Sequence, residues 1–407
     1  MGLILAIDQG TSSTRSIVFD ADGRVLGAAQ LEFDQIFPRD GWVEHDPERI
    51  WETVVETGRA ALAAAGVSAS ALDGIGITNQ RETTLVWDAS TGEPLHNAIV
   101  WQDRRTAARC DEIRSDGMAA AISSKTGLVV DPYFSSTKLA WLLREIPGLT
   151  KRAERGEVCF GTIDSFLIWR LTRGASHATD ATNASRTQLF NLDTQQWDEE
   201  LLRYFGIPRA ILPTVLDSVD RFGITAAEWF GAAVPILGVA GDQQAALVGQ
   251  GCFDAGMTKS TYGTGCFVVT NTGPERITSA SGLLSTVGYR IGGRPTFAVE
   301  GSIFVAGAAI KWLRDRARLI DSAAASEAAA LRAGHDTGGV YVVPAFTGLG
   351  APHWQPAARG LICGLTLDTD VDQIVTATLA SVGYQTAELL SALTADGAAV
   401  TTLRVDG

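Results

Sequence analysis

The sequence predicts an α/β protein made of two related domains, and three features carry that prediction. Near the N-terminus, apolar Leu3-Ile4-Leu5-Ala6-Ile7 breaks into Asp8-Gln9-Gly10-Thr11-Ser12-Ser13-Thr14-Arg15 and resumes as Ser16-Ile17-Val18-Phe19-Asp20. That pattern is a strand, a small-residue turn and a second strand. The device recurs much later, where Met257-Thr258-Lys259-Ser260-Thr261 meets Tyr262-Gly263-Thr264-Gly265-Cys266 and then Phe267-Val268-Val269-Thr270. Between and after the two hairpins, apolar strands alternate with helical patterns, as α/β domains require.

Each tip combines glycine with hydroxyls. Small residues let backbone N–H groups approach an anion closely, and hydroxyls with Arg15 add donors at the same place. Asp8, at the strand end, cannot serve a phosphate but suits a magnesium ion that accompanies one. One such hairpin alone is equally consistent with an ordinary polar β-turn. Two of them, far apart, favour a nucleotide held in a cleft that both domains line.

The 407 residues suffice for two or three domains, and 46% hydrophobic with 19% charged residues is an ordinary globular composition. A net charge of −13 argues against nucleic acid or an anionic membrane as partner, so an anionic substrate must be met by local donors. The five cysteines (Cys110, Cys159, Cys252, Cys266, Cys363) are odd in number and lack CxxC spacing. Reduced thiols, a cytoplasmic chain and no zinc site are therefore expected. No apolar run is long enough to span a membrane, and no signal-peptide pattern precedes the first strand.

In chain order, Val25 to Leu31 reads as a third strand of a meander. Asp46 as N-cap with Pro47 at the first helical position starts a helix, whose apolar Ile50, Trp51, Val54, Val55 and Leu62 keep helical spacing until Gly66. His45, just before that cap, reads as a structural loop residue. Leu72 to Thr78 alternates as a strand, runs into Asn79-Gln80-Arg81-Glu82, and leaves as Thr83 to Asp88. Adjacent Arg81 and Glu82 stand either as solvated surface charges or as donor and acceptor facing a polyhydroxylated ligand; composition alone favours the first. A strand ends at Ile99-Val100-Trp101, and Asp131-Pro132-Tyr133-Phe134 opens a helix to Leu143. Trp101 and Tyr133 are, by default, partly buried core aromatics.

Ile163 to Trp169 is helical, and Thr179 to Thr187, dense in hydroxyls and amides, reads as an ordered polar loop. Val234 to Ala240 is a buried strand ending at Gly241-Asp242-Gln243-Gln244, followed by the helix Ala245 to Val248. A carboxylate on a glycine-led turn between strand and helix is where open α/β sheets place ligands, although Asp242 also suits plain helix capping. Beyond the second hairpin come a strand at Pro295 to Gly301, a helix with Gly307, Lys311 and Trp312, a helix at Ala323 to Ala333 and a strand at Val340 to Pro344. An amphipathic helix from Val371 to Leu393 and a strand at Thr402 to Asp406 follow.

Five stretches together are similar to the FGGY family of carbohydrate kinases, in its glycerol-phosphorylating branch. They are Asp8-Gln9-Gly10-Thr11, Gly41-Trp42-Val43-Glu44-His45-Asp46-Pro47, Ile77-Thr78-Asn79-Gln80-Arg81-Glu82-Thr83-Thr84, Gly241-Asp242-Gln243-Gln244-Ala245-Ala246 and Thr261-Tyr262-Gly263-Thr264-Gly265-Cys266-Phe267. The resemblance runs along nearly the whole chain. It implies the two-domain actin and hexokinase-like ATPase fold with ribonuclease H-like domains. Residues 1–250 would carry the polyol site and the first phosphate turn, and residues 251–407 the nucleotide side.

The implied activity is ATP-dependent phosphorylation of glycerol to sn-glycerol 3-phosphate, with Mg2+. By the resemblance, Thr11, Ser12, Ser13 and Arg15 contact nucleotide phosphates from one domain, and Gly263, Thr264, Gly265, Gly307 and Lys311 meet the nucleotide from the other. Arg81, Glu82, Tyr133, Asp242 and Gln243 would hydrogen-bond the glycerol hydroxyls, with Trp101 and Phe267 on its carbon backbone. Asp242 would be the general base, and Asp8 would help place magnesium. No nucleic acid and no membrane insertion are implied, and a homo-oligomer stays open.

The sequence departs from the family's pattern in places. Lys311 stands where relatives often carry glutamine, and Gln355 replaces a common aspartate. In the family, the strand ending at Asp406-Gly407 leads into a glycine turn on the adenosine, so the resemblance implies a second domain truncated at its C-terminus. Two other readings remain: a different kinase of the family acting on xylulose or gluconate, and a non-catalytic ligand-binding relative or an inactive fragment.

Overall fold

A computed structural model describes residues 2–355 and 357–407. The chain divides into two compact units, Met1–Ala245 with Thr286–Thr296, and Ala246–Ser285 with Phe297–Gly407.

The first unit is built on a mixed sheet of β1 (Leu3–Gln9), β2 (Ser13–Asp20), β3 (Val25–Glu32), β4 (Gly74–Asn79), β5 (Val219–Ile224) and β6 (Pro235–Gly241). Their spatial order is β5-β6-β4-β1-β2-β3. The meander β1-β2-β3 is antiparallel, whereas β4 joins β1 in parallel and β6 joins β4 in parallel. Period-two alternation sends Leu5 and Ile7 into the core and leaves Asp8 on the opposite face.

The helix Pro47–Ala65 covers one face of the sheet. Asp46 caps it by accepting from the Glu48 amide at 2.9 Å, and Gly66 ends it in the left-handed region at φ 66°. Its Ile50, Trp51, Val54 and Leu62 are buried in the main core with Leu5, Ile7, Val18, Ile75 and Ile77. Each such aliphatic side chain contributes roughly 1.5–3 kcal/mol. Polar groups are paired across the same interface: Thr53 meets Thr14 at 2.8 Å and Thr57 meets Ser16 at 2.9 Å.

A second sheet holds β7 (Met257–Tyr262), β8 (Cys266–Gly273), β9 (Leu284–Ile291), β10 (Arg294–Ile303) and β11 (Thr402–Asp406), in the order β9-β10-β8-β7-β11, with most of β9 and the start of β10 falling in the Thr286–Thr296 stretch of the first unit. Here β7, β8 and β10 pair antiparallel in succession and β11 joins β7 in parallel. The run β10-β8-β7-β11 therefore repeats β3-β2-β1-β4. The helix Val371–Ala395, opened by a capping box of Asp370 and Gln373, lays Leu389 and Leu393 into a core with Val268, Val299 and Ile303.

Several elements differ from the sequence reading. The first turn is tight, so Asp8 and Arg15 lie within β1 and β2 as cross-strand partners rather than at the tip. The strand β6 passes straight into the helix Asp242–Gly249 with no intervening turn. The stretch 179–187 is not a loop: it is the end of a short strand, the short helix Ala181–Ala184 and a turn, all buried. Its hydroxyls and amides satisfy one another, which composition cannot distinguish from solvation by water. Among the described residues no helix is long and apolar enough to cross a membrane, and the five cysteines are free thiols.

Candidate active site

The first turn presents donors because its acceptors are used internally. The carbonyl of Gly10 accepts from the side-chain amides of Gln9 at 2.8 Å and Gln80 at 3.0 Å. The carbonyls of Ser12 and Ser13 accept from the amides of Phe33 at 3.2 Å and Gly10 at 2.9 Å. With those oxygens turned inward, Thr11, Ser12, Ser13 and the exposed Arg15 leave a face suited to an anion. The hydroxyl of Thr11 also accepts from the indole N–H of Trp101 at 3.0 Å.

Gln80, fully buried, ties this turn to the next. Its amide donates to Gln9 Oε1 at 3.1 Å and to Gly10, and its own oxygen accepts from the Thr83 hydroxyl at 3.0 Å. It also meets His45 Nδ1 at 3.3 Å. His45 is buried in the strand Glu44–His45, edge-on to Phe33, and desolvation lowers its pKa to about 4. An uncharged imidazole accepting from Gln80 is thus part of the turn's support, a role that loop position alone did not suggest.

Arg81 and Glu82 are 3% and 1% exposed, so the surface-charge reading is wrong. Glu82 adopts φ 59°, a left-handed conformation that costs a non-glycine residue roughly 1–3 kcal/mol. The surroundings over-determine it. Ser135 and Thr84 hydroxyls both donate to its carbonyl at 2.9 Å, and buried Arg186 donates to its carboxylate at 2.7 Å. Strain so held marks a working site more often than an accident. Arg81 meanwhile places Nε 3.2 Å from Asp242 Oδ1 and Nη2 3.4 Å from the Tyr133 hydroxyl. Trp101 and Tyr133 stand edge to face with centroids 5.6 Å apart.

Asp242 leaves the end of β6 as the first residue of its helix, where its carboxylate also accepts from the Gln243 amide at 2.7 Å. The strand end is pinned by the Gly241 amide donating to Thr182 Oγ1 at 2.9 Å, and Asp180 caps the short helix that carries Thr182. Gly241 must lack a side chain, because a Cβ there would stand 2.7 Å from the Arg81 stem. Gln243 is buried beside it, and Gln244 Oε1 accepts from Arg81 at 3.4 Å.

Asp8 lies close enough to Asp242 for their charges to interact. Burial first, and then the Asp242 charge, push its carboxyl up to about 6, against the pull of Arg15. Surface area counts Asp8 as exposed, so it is recessed yet open to solvent on one side. Two crowded carboxylates of this kind suit a hard divalent cation. Among the described residues no group of three or more His, Cys, Asp or Glu is placed to share a metal. Magnesium needs no such group, since it takes one or two carboxylates and completes its shell with water and phosphate.

In the second unit, Gly263, Thr264, Gly265 and Gly307 come together. The amides of Gly307 and Ala308 donate to the carbonyls of Gly263 at 3.0 Å and Thr264 at 3.1 Å, joining the turn to the start of the helix Gly307–Asp315. A Cβ on Gly307 would meet Gly263 O at 2.6 Å, and one on Gly265 would meet Ile303 O at 2.4 Å. Here too the turn's carbonyls are consumed, leaving Thr264 exposed. Lys311, exposed and four residues on from Gly307, shares that helix face. Phe267 lies on β8 opposite Thr261 of β7.

Arg186 and Gln80 are site residues that sequence reasoning did not single out. The signal for Arg186 is a lone arginine in a polar run whose other charge is Asp180.

The models of the FGGY family of carbohydrate kinases match this chain, the N-terminal domain over residues 3–249 and the C-terminal domain over residues 258–407. The chain is 61% identical over 404 residues to glycerol kinase 1 of Pseudomonas aeruginosa, covering 99% of this chain and 82% of that protein. The structure of Plasmodium falciparum glycerol kinase with ADP superposes with a TM-score of 0.91 at 37% identity, over 100% of this chain and 82% of that one. A ligand-bound xylulose kinase of Lactobacillus acidophilus, at 22% identity, shares the fold with a TM-score of 0.88 over 100% of this chain and 81% of its own.

Proposed function

The chain belongs to the FGGY family of carbohydrate kinases, and on that premise we propose that it transfers the γ-phosphoryl group of ATP to a terminal hydroxyl of glycerol, giving sn-glycerol 3-phosphate and ADP. One observation carries the reading: buried Arg81, Glu82 and Tyr133 meet the partly exposed carboxylate of Asp242 in one polar constellation, with Trp101 edge to face against Tyr133. A small triol offers one hydroxyl to each of several such donors and acceptors. A pocket of this kind rejects an analogue lacking one hydroxyl by roughly 10⁴–10⁵, because its buried groups go unpaired. The identity to a glycerol kinase supports glycerol over longer sugars.

Each residue then has a task. Asp242, oriented by Arg81 Nε, accepts the proton of the terminal hydroxyl as that oxygen attacks the γ-phosphorus. The bond from phosphorus to the bridging oxygen breaks, ADP leaves with that electron pair, and Asp242 returns its proton to solvent. Arg81, Glu82, Tyr133 and Gln243 hold the remaining hydroxyls, and Trp101 and Phe267 the carbon chain. Thr11, Ser12, Ser13 and Arg15, with Gly263, Thr264, Gly265, Gly307 and Lys311, bind the nucleotide, so that positioning and electrostatics supply the catalysis. Asp8 would hold magnesium, which when bound neutralises charge on the phosphates. A cytoplasmic location belongs to the same reading, supported by the five unpaired thiols.

Coupling ADP release to a spectrophotometric readout, with glycerol screened against xylulose, gluconate and longer polyols, tests the assignment. Glycerol should give the highest kcat/KM. A ketose or sugar acid turned over faster would reassign the substrate.

A further inference from the structure

One buried cation bonds to the backbone behind the proposed polyol site. Lys138, on the helix Ser135–Glu145, is completely buried. Its Nζ donates to the carbonyl of Val100 at 2.8 Å and to the carbonyl of Tyr133 at 3.3 Å. Val100 immediately precedes Trp101. One ammonium therefore ties together the backbone from which both aromatic rings project.

Those rings stand edge to face, 5.6 Å apart, on segments that Arg104 with Asp131 (3.2 Å) and Thr106 with Thr137 (2.7 Å) also join farther along. The Trp101 side has its own anchors, since the Val100 amide donates to Val43 O at 3.0 Å and the Asp103 amide to Val100 O at 3.0 Å. On the Tyr133 side, the Tyr133 amide donates to Asp131 Oδ1 at 2.9 Å. Lys138 bonds to the backbone at the base of both rings, at Val100 O and Tyr133 O.

A lysine is a poor choice for stability alone. Taking an ammonium out of water is costly, and a methionine would fill the same space without that cost. The charged neighbours soften the penalty without removing it: Asp103, Glu82 and Asp131 attract the ammonium, Arg104 repels it, and burial outweighs them, lowering its pKa to about 8. What lysine alone adds is three donors on a stem long enough to reach two carbonyls.

We propose that Lys138 is a positioning residue for the phosphoryl-transfer reaction, setting Trp101 and Tyr133 as the walls against which the polyol is held. This rests on the glycerol-kinase reading above.

The test compares Lys138→Met and Lys138→Arg with the wild-type protein, each checked for a cooperative thermal melt. Losing a charged donor on two carbonyls should raise the glycerol KM of the methionine variant by roughly 10-fold or more, with the ATP KM at saturating glycerol within about two-fold. Lys138→Arg should recover part of the glycerol affinity. A folded methionine variant with unchanged glycerol KM overturns the proposal, and so does an equal rise in both KM values, which marks a general structural role. If the methionine variant does not fold, the arginine variant carries the test. The wild-type glycerol KM should climb above pH about 8 as the ammonium is lost, and stay flat in Lys138→Arg, whose guanidinium remains charged. Identical pH profiles overturn the proposal. A wild-type protein inert toward glycerol would defeat the functional reading and this one together; a glycerol-active wild type with an unmoved variant defeats this one alone.

Discussion

The indole N–H of Trp101 donates to the hydroxyl of Thr11 at 3.0 Å, so an aromatic of the proposed polyol site is bonded directly to the first glycine-and-hydroxyl turn. Trp101→Phe keeps a ring and removes that single bond. A neutral hydrogen bond is worth about 1 kcal/mol, so kcat/KM should fall by roughly 5- to 10-fold. The loss should fall on the ATP KM at least as much as on the glycerol KM. A defect confined to glycerol would mean that the bond carries no influence on the nucleotide side.

Glu82 is the buried partner of Arg186 and stands 4.0 Å from Arg81 Nε. Removing its carboxylate with Glu82→Ala leaves a buried guanidinium uncompensated, which costs roughly 3–5 kcal/mol. In a domain of this size the melting temperature should drop by roughly 10 °C. A melt within a degree or two of wild type would mean that the ion pair is not what holds the strained turn.

Gly307 has no room for a side chain, since a Cβ would approach Gly263 O to 2.6 Å. Gly307→Ala must push the turn aside, at a cost of roughly 1–3 kcal/mol. The ATP KM should rise about 10-fold while glycerol binding, measured calorimetrically without nucleotide, stays as it was. Unchanged nucleotide kinetics would remove this turn from the nucleotide site.

How much of this was readable from residues depends on the range of the interactions. Asp46, Pro47 and Gly66 delimit a helix through bonds within a few positions, and the structure places them as cap, first turn and terminator. The two glycine-and-hydroxyl turns are equally local, and so are their flanking strands. Arg81 and Glu82 are different, because adjacent charges at a strand end look the same whether solvated or buried. What buries them is distant: Arg186 and Asp242 reach Glu82 and Arg81 from segments far along the chain, and Thr182 holds the end of β6. Lys138 has a fainter signal. It lies four residues from both Phe134 and Leu142, on the apolar stripe of its helix, where a surface lysine would not stand. The strand β9 escaped notice because it is buried along nearly its whole length and so lacks an alternating pattern.

Asp8 gives a pH prediction with a definite sign. Its folded pKa, about 6, lies above the ordinary 3.8, so the folded state holds the proton more tightly than the unfolded chain. Its contribution to stability is complete below about pH 3.8 and is lost as the pH rises through about 6. Asp8→Asn escapes that loss. Without divalent cation, the variant should melt above wild type from about pH 6 upward, the gap closing toward pH 4. Adding magnesium should raise the wild-type melt and not that of the variant. Parallel melting curves across that range would show that Asp8 is not crowded as described.

The central claim is that Asp242 is the base for phosphoryl transfer to glycerol, and Asp242→Asn tests it most directly. The amide keeps the shape and a contact to Arg81 but cannot take a proton. Turnover should fall by roughly 10²–10⁴-fold in the coupled ADP assay, while calorimetry still detects glycerol binding within about 10-fold of wild type. A variant that binds glycerol and turns over at near the wild-type rate would contradict the account.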